Sequence, residues 1–325
     1  SDLTWSSDTA STPLATAGLV STFSSFGMAA DLTLKPDIGA PGGSIFSTIP
    51  IENGTYGQNS GTSMSSPHVA GAVALLLEAE TGIARTAVRS RLQNSADPAF
   101  FFLAPQLELL DSAHHQGAGL VDIDDAITAD VDVTPGKLSL GESQAGPQTR
   151  TLTIRNRGAS PVSFDLSAID AVSTGPKNPA NYPTIAYLFA DSTVSFSAPS
   201  VTVPPGASRK VDVTIAPNAG LDDQSQYGGY VVLTPQGGGK TYRVPYAGFV
   251  GDYQAVPVLT PTPNGFPWLA KLNAAGTTFT NQPAGATYTM IGNDVPYFLV
   301  HFDHHVQRYE FRITDAETGA PLHPV

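Results

Sequence analysis

The chain has no cysteine among its 325 residues. Disulfides, thiol nucleophiles and cysteine-held metals are thereby excluded. Basic residues are scarce: 16 Lys and Arg stand against 28 Asp and Glu, a net charge of −12. A nucleic acid or an anionic membrane needs a basic face to bind, so neither is expected as a partner. The longest apolar run, Val69 to Leu77, falls far short of the roughly 18 residues a membrane span requires. Ser1-Asp2-Leu3-Thr4-Trp5 offers neither a basic end nor an apolar core, so it does not read as a signal peptide. None of the 7 histidines precedes residue 63.

What is present centres on Gly61-Thr62-Ser63-Met64-Ser65-Ser66-Pro67-His68-Val69-Ala70-Gly71, which opens the apolar run Ala72-Val73-Ala74-Leu75-Leu76-Leu77. An element apolar on all sides is usually buried on all sides. A central helix is therefore expected from Ser63 to about residue 80, ended by Gly82 as a left-handed cap. Ser63 falls in its first turn, where unpaired N–H groups and the positive end of the helix dipole face an approaching group. A nucleophile whose transition state develops an oxyanion is well placed there. Pro67, four residues on, has no N–H to give the Ser63 carbonyl, which loosens that turn.

This stretch resembles the serine block of the subtilisin-like serine proteases, the subtilases. Leu34-Lys35-Pro36-Asp37-Ile38-Gly39-Ala40-Pro41-Gly42 resembles the segment that precedes that serine, and Tyr56-Gly57-Gln58-Asn59-Ser60 leads into it as in the family. Gly117-Ala118-Gly119-Leu120-Val121-Asp122 resembles the closing strand of the catalytic domain, while Phe23-Ser24-Ser25-Phe26-Gly27-Met28 departs from a family block at Phe26 and Met28. The resemblance implies that Ser63 is the nucleophile and that its N–H forms part of the oxyanion hole. It also implies that Thr62 supports that hole and that His68 is structural rather than the base.

In subtilisin the triad runs Asp, His, Ser along the sequence. No histidine precedes Ser63, and Asp2, Asp8, Asp31 and Asp37 lie in nothing like the family's aspartate motif. The chain therefore reads as the C-terminal portion of an α/β subtilisin-like catalytic domain, with an upstream half supplying the Asp and His. Alone it is expected to be inactive. The implied function is a secreted or cell-surface endopeptidase acting on protein or peptide substrates through an acyl-enzyme, with no cofactor needed for the chemistry. Two rivals are a subtilase-like acyltransferase, which would carry elements shielding the acyl-enzyme from water, and an inactive subtilase-derived scaffold or adhesion protein.

Proline divides the chain: 7 of 27 lie in residues 1–128 and 20 in residues 129–325. Interior proline breaks helices and is confined to edges and turns of sheets. Three regions are expected: the catalytic portion over 1–128, a fibronectin-III-like β-sandwich over 129–252, and a further β-rich module, incomplete, over 253–325. The sandwich rests on alternating runs such as Thr151-Leu152-Thr153-Ile154 and Lys210-Val211-Asp212-Val213-Thr214-Ile215. Its segment from Tyr227-Gly228-Gly229-Tyr230 to Val244-Pro245-Tyr246-Ala247-Gly248 resembles the fibronectin-type-III-like domain of large subtilases.

Asn53-Gly54-Thr55 matches a glycosylation acceptor but is read as a tight turn. Ala84 to Asn94 reads as a second helix with Val88 and Leu92 on one face, and Arg85, Arg89 and Arg91 are assigned to its solvated side. Phe100-Phe101-Phe102-Leu103 reads as core. His114-His115 is placed in a loop and set aside as a metal site, since no carboxylate cluster is spaced to join it. Asp122, Asp124, Asp125, Asp130 and Asp132 raise structural calcium, which many subtilases carry, but lack the glycine turn and ligand order of a calcium loop. They are read as a solvated junction. Tyr297 to Val306 reads as a strand with His301, Asp303 and His305 stacked on one face. A metal is conceivable there, and an exposed face binding nothing is the preferred reading.

Overall fold

A computed structural model describes residues 14–176, 185–259, 264–302 and 308–322. The chain separates into two compact units, one ending at Asp252 and the other running from Tyr253. The first unit opens with an irregular segment and a hairpin of β1 (Ile45–Thr48) and β2 (Tyr56–Asn59). The turn expected at Asn53-Gly54-Thr55 lies in that hairpin, with Gly54 at φ 109°. Four helices follow: α1 (Thr62–Ala79), α2 (Arg85–Ser95), α3 (Ala113–Gln116) and α4 (Ile123–Thr128).

The stripe Val69, Ala72, Val73 and Leu76 has the i, i+3, i+4, i+7 spacing of one helical face. Ala72, Val73 and Leu76 pack against Val88 and Leu92 of α2 and Ala126 of α4. Burial on all sides is not found. Leu75 and Leu77 are 50% and 42% exposed, because nothing among the described residues covers their face. The expected cap also differs. α1 ends at Ala79, and Glu80 takes φ −129° while still donating its N–H to the Leu76 carbonyl. Gly82 is not left-handed. The Glu80 carboxylate is drawn into ion pairs with Arg91 and Arg157, and the chain turns there instead.

Eleven strands of the first unit beyond the hairpin and three of the second carry the rest of the described chain. In order, those of the first unit are β3 (Val131–Thr134), β4 (Leu138–Glu142), β5 (Gln148–Asn156), β6 (Val162–Asp170), β7 (Ser173–Thr174), β8 (Tyr187–Leu188), β9 (Thr193–Phe196), β10 (Ser200–Val203), β11 (Ser208–Ala216), β12 (Gln226–Pro235) and β13 (Tyr242–Phe249). One sheet runs β10-β6-β12-β13-β4, with β7 attached to β12 and β8 to β7, and the other runs β3-β5-β11-β9. All pairs are antiparallel except β13 with β4, which is parallel. Between the sheets lie Leu152, Ile154, Val211, Val213, Ile215, Val231, Leu233 and Val244. Burying each such side chain contributes about 1.5–3 kcal/mol.

β12 is buried along nearly its whole length rather than alternately. Val231 and Leu233 face the sandwich interior. Tyr230 and Val232 face outward onto Ala113 of α3. Strands covered on both faces lose the alternating pattern, and Gly228 lets α3 approach, since a β-carbon there would stand 3.1 Å from the Ala113 β-carbon.

The second unit holds the antiparallel sheet β15-β14-β16, made of β14 (Trp268–Leu272), β15 (Phe279–Asn281) and β16 (Tyr297–Leu299). β16 is shorter than expected: it stops at Leu299, and residues 300–302 are not strand. Asp303 and His305 lie outside the described residues, so the expected His301–Asp303–His305 face does too.

Candidate active site

Ser63 is exposed in the first turn of α1. Thr62 precedes it, also exposed, and Gly61 forms the N-cap at φ 152°. That backbone region is rarely adopted by residues with a side chain. The N–H groups of a first turn have no intrahelical partner, although Met64 N–H here turns back to the Gly61 carbonyl at 3.0 Å. Pro67 sits inside the helix, so the Ser63 carbonyl receives no i+4 bond.

The residues before the helix are gripped from one side. Gly61 N–H donates to the Gly42 carbonyl at 2.8 Å, and Ser44 N–H donates to Ser60 Oγ at 2.8 Å. The approach to Gly42 is fixed further back. Leu34 N–H donates to Ser139 Oγ at 2.9 Å, and Lys137 pairs with Asp37 at 2.7 Å and donates to the Leu34 carbonyl. Burial works to raise the Asp37 pKa, but Lys137 and Lys35 outweigh it and hold the carboxyl below its usual range. A cleft of about 510 Å³ opens beside α1, with Gly42, Thr62, Ser65, Ser66 and His115 in its wall.

The described histidines of this unit are all engaged. His68 Nδ1 rests on the Met64 carbonyl at 2.8 Å. His115 is buried, its Nδ1 3.0 Å from Asp111 Oδ2 and its Nε2 3.3 Å from the Ser24 carbonyl. Phe26 stacks flat on its ring with centroids 3.9 Å apart. His114 Nε2 meets Thr174 Oγ1 at 3.0 Å, and burial, with His115 beside it, pulls its pKa down to about 3. The expected loop at His114-His115 is instead the buried turn α3. It is held between two bodies: Ser112 Oγ donates to the Val172 carbonyl and Tyr230 OH to the Gly117 carbonyl.

Two further expectations change. Arg91 is not on a solvated face: it is 2% exposed and bonds Glu80 at 2.9 Å and Asp132 at 2.8 Å, while Arg157 joins the same two carboxylates. Of the Phe100–Leu103 run only Phe101 is buried, with Phe100 and Leu103 well exposed. Three carboxylates of the acidic stretch are engaged by protein partners: Asp122 caps α4 by accepting Asp125 N–H at 2.8 Å, Asp125 pairs with Lys240, and Asp132 joins the arginine cluster.

Residues 6–119 match the subtilase family, and residues 138–247 match an Fn3-like domain. The PII-type proteinase of Lactococcus lactis subsp. cremoris is 29% identical, over 72% of this chain and 13% of that protein. The minor extracellular protease Vpr of Bacillus subtilis (strain 168) is 32% identical, over 70% of this chain and 26% of its own length. The C5a peptidase of Streptococcus pyogenes is 31% identical, over 74% and 21% respectively. The chain thus spans 13% to 26% of the length of these relatives.

Proposed function

Because residues 6–119 belong to the subtilase family and are followed by an Fn3-like domain, we propose that this chain carries the nucleophile of a secreted or cell-surface serine endopeptidase. Ser63 is the nucleophile. Its Oγ attacks the carbonyl carbon of a peptide bond while a histidine takes its proton. The amine leaves with a proton from that histidine, and water then cleaves the acyl-enzyme. The Ser63 N–H, at the positive end of α1, stabilises the oxyanion, and Thr62 supports that position.

In the family's order the aspartate and histidine precede the serine; no histidine precedes Ser63, and His68, His114 and His115 are held by other partners, so both groups are supplied from outside this chain. The exposed Leu75/Leu77 face of α1 is where the other half of the catalytic domain would rest. The observation that carries the reading is the exposed first-turn position of Ser63 inside the family-matched segment.

In the complete protein, Ser63→Ala should abolish casein digestion. A triad without its serine keeps only the weak catalysis of binding and the oxyanion hole, about 10³–10⁴ over water. An alanine variant that digests casein at the wild-type rate would falsify the assignment.

A further inference from the structure

We propose that Gly42 is a positioning residue for Ser63, its missing side chain letting residues 41–44 clamp the turn from which α1 starts. The proposal rests on Ser63 being the nucleophile. Gly42 is buried, and a β-carbon built on it would stand 2.2 Å from Ser65 Oγ and 2.9 Å from the Gly61 carbonyl oxygen. Both are closer than a carbon and an oxygen in contact can rest. The same segment accepts Gly61 N–H through Gly42 and donates to Ser60 through Ser44. Gly61 at φ 152° has a backbone conformation that few other residues adopt, so the turn is over-determined rather than free to drift.

The two close approaches have different consequences. The Ser65 hydroxyl can rotate to another staggered position. The Gly61 carbonyl is backbone, two residues before Ser63, and moves only if the turn moves. A methyl group at position 42 therefore displaces the start of α1 by about a few tenths of an ångström. A misplacement of about 1 Å costs roughly 100-fold in rate, so the smaller shift should cost on the order of 3- to 10-fold.

The test uses the complete protease and a fluorophosphonate probe, in which Ser63 Oγ bonds to phosphorus, fluoride leaves and the serine proton passes to the base. Gly42→Ala should lower the labelling rate constant on the order of 3- to 10-fold while the labelled fraction at the end point stays full. The kcat for a peptide substrate should fall by a similar factor with KM unchanged. Ser60→Ala, which loosens the clamp without adding bulk, should show a smaller fall of the same kind and serves if Gly42→Ala does not fold. Adding Ser65→Ala to Gly42→Ala should leave the rate low, since the Gly61 carbonyl is the obstacle.

Wild-type labelling rates in both single variants overturn the proposal. So does a reduced end point with a normal rate constant, which marks a merely structural role, and so does restoration of the rate by Ser65→Ala. Labelling that survives Ser63→Ala overturns the nucleophile assignment and the proposal with it, an outcome separable from the others by that one variant.

Discussion

Adjacent imidazoles at positions 114 and 115 have different partners. His115 faces a buried carboxylate, Asp111, whereas His114 faces a hydroxyl and has no hydrogen-bond partner at Nδ1 among the described residues. Burial keeps His114 neutral, with its pKa lowered from 6.5 to about 3. The unfolded chain, with the ordinary value, then binds a proton that the folded chain refuses. Stability is therefore unaffected above about pH 6.5 and falls as pH drops from there towards 3. Measured from pH 7 to 4, the unfolding midpoint of wild type should fall more steeply than that of His114→Gln. Equal slopes would mean His114 does not titrate with folding.

Residue positions were legible to different degrees for a physical reason. The first-turn place of Ser63 was legible because it is set by its immediate neighbours, Gly61-Thr62 before and Pro67 after. The surroundings of Gly42 and Arg91 were not, because their neighbours lie far away in sequence: Gly61 for one, Asp132 for the other. A charged residue beside the apolar positions of a helix looks solvated until its counter-ions are placed.

At the scale of elements, α1 was predictable as a helix from its composition, but its packing was not. One face is buried against α2 and α4 and the other stays open, which a helix apolar all round does not announce. Strands such as β11 were legible because one face meets the core and the other water, so Val211, Val213 and Ile215 alternate with polar residues. The outward face of β12 was not, because it is covered by α3. Glu80 at the end of α1, Arg91 on α2, Asp132 on β3 and Arg157 just after β5 form the joint between helices and sandwich. Removing one member of a buried ion pair costs about 3–5 kcal/mol when its partner is left uncompensated, but Arg157 still pairs Glu80 and Asp132 when Arg91 is gone. Arg91→Leu, which loses charge-assisted hydrogen bonds to both carboxylates, should therefore lower stability by about 1.5–3 kcal/mol by denaturant titration. Arg89→Leu, on the exposed side of α2, should stay within about 0.5 kcal/mol of wild type. Equal effects would remove the joint from the account.

At the scale of the whole molecule, the subtilase segment and the sandwich form one compact unit. Ser112, Gly117, Leu34 and Asp37 on one side bond Val172, Tyr230, Ser139 and Lys137 on the other. The sandwich thus braces the segment leading to Gly42, and Gly42 in turn touches the turn before Ser63. The central claim is that Ser63 is a nucleophile whose base lies outside these 325 residues. A serine hydroxyl is a weak nucleophile until a base takes its proton. The most direct measurement is fluorophosphonate labelling of the isolated chain beside the complete protein, with the modified serine located by peptide mass. The account predicts labelling at Ser63 in the complete protein and none in the isolated chain. Rapid labelling of Ser63 in the isolated chain, or labelling of a different serine in the complete protein, would contradict it.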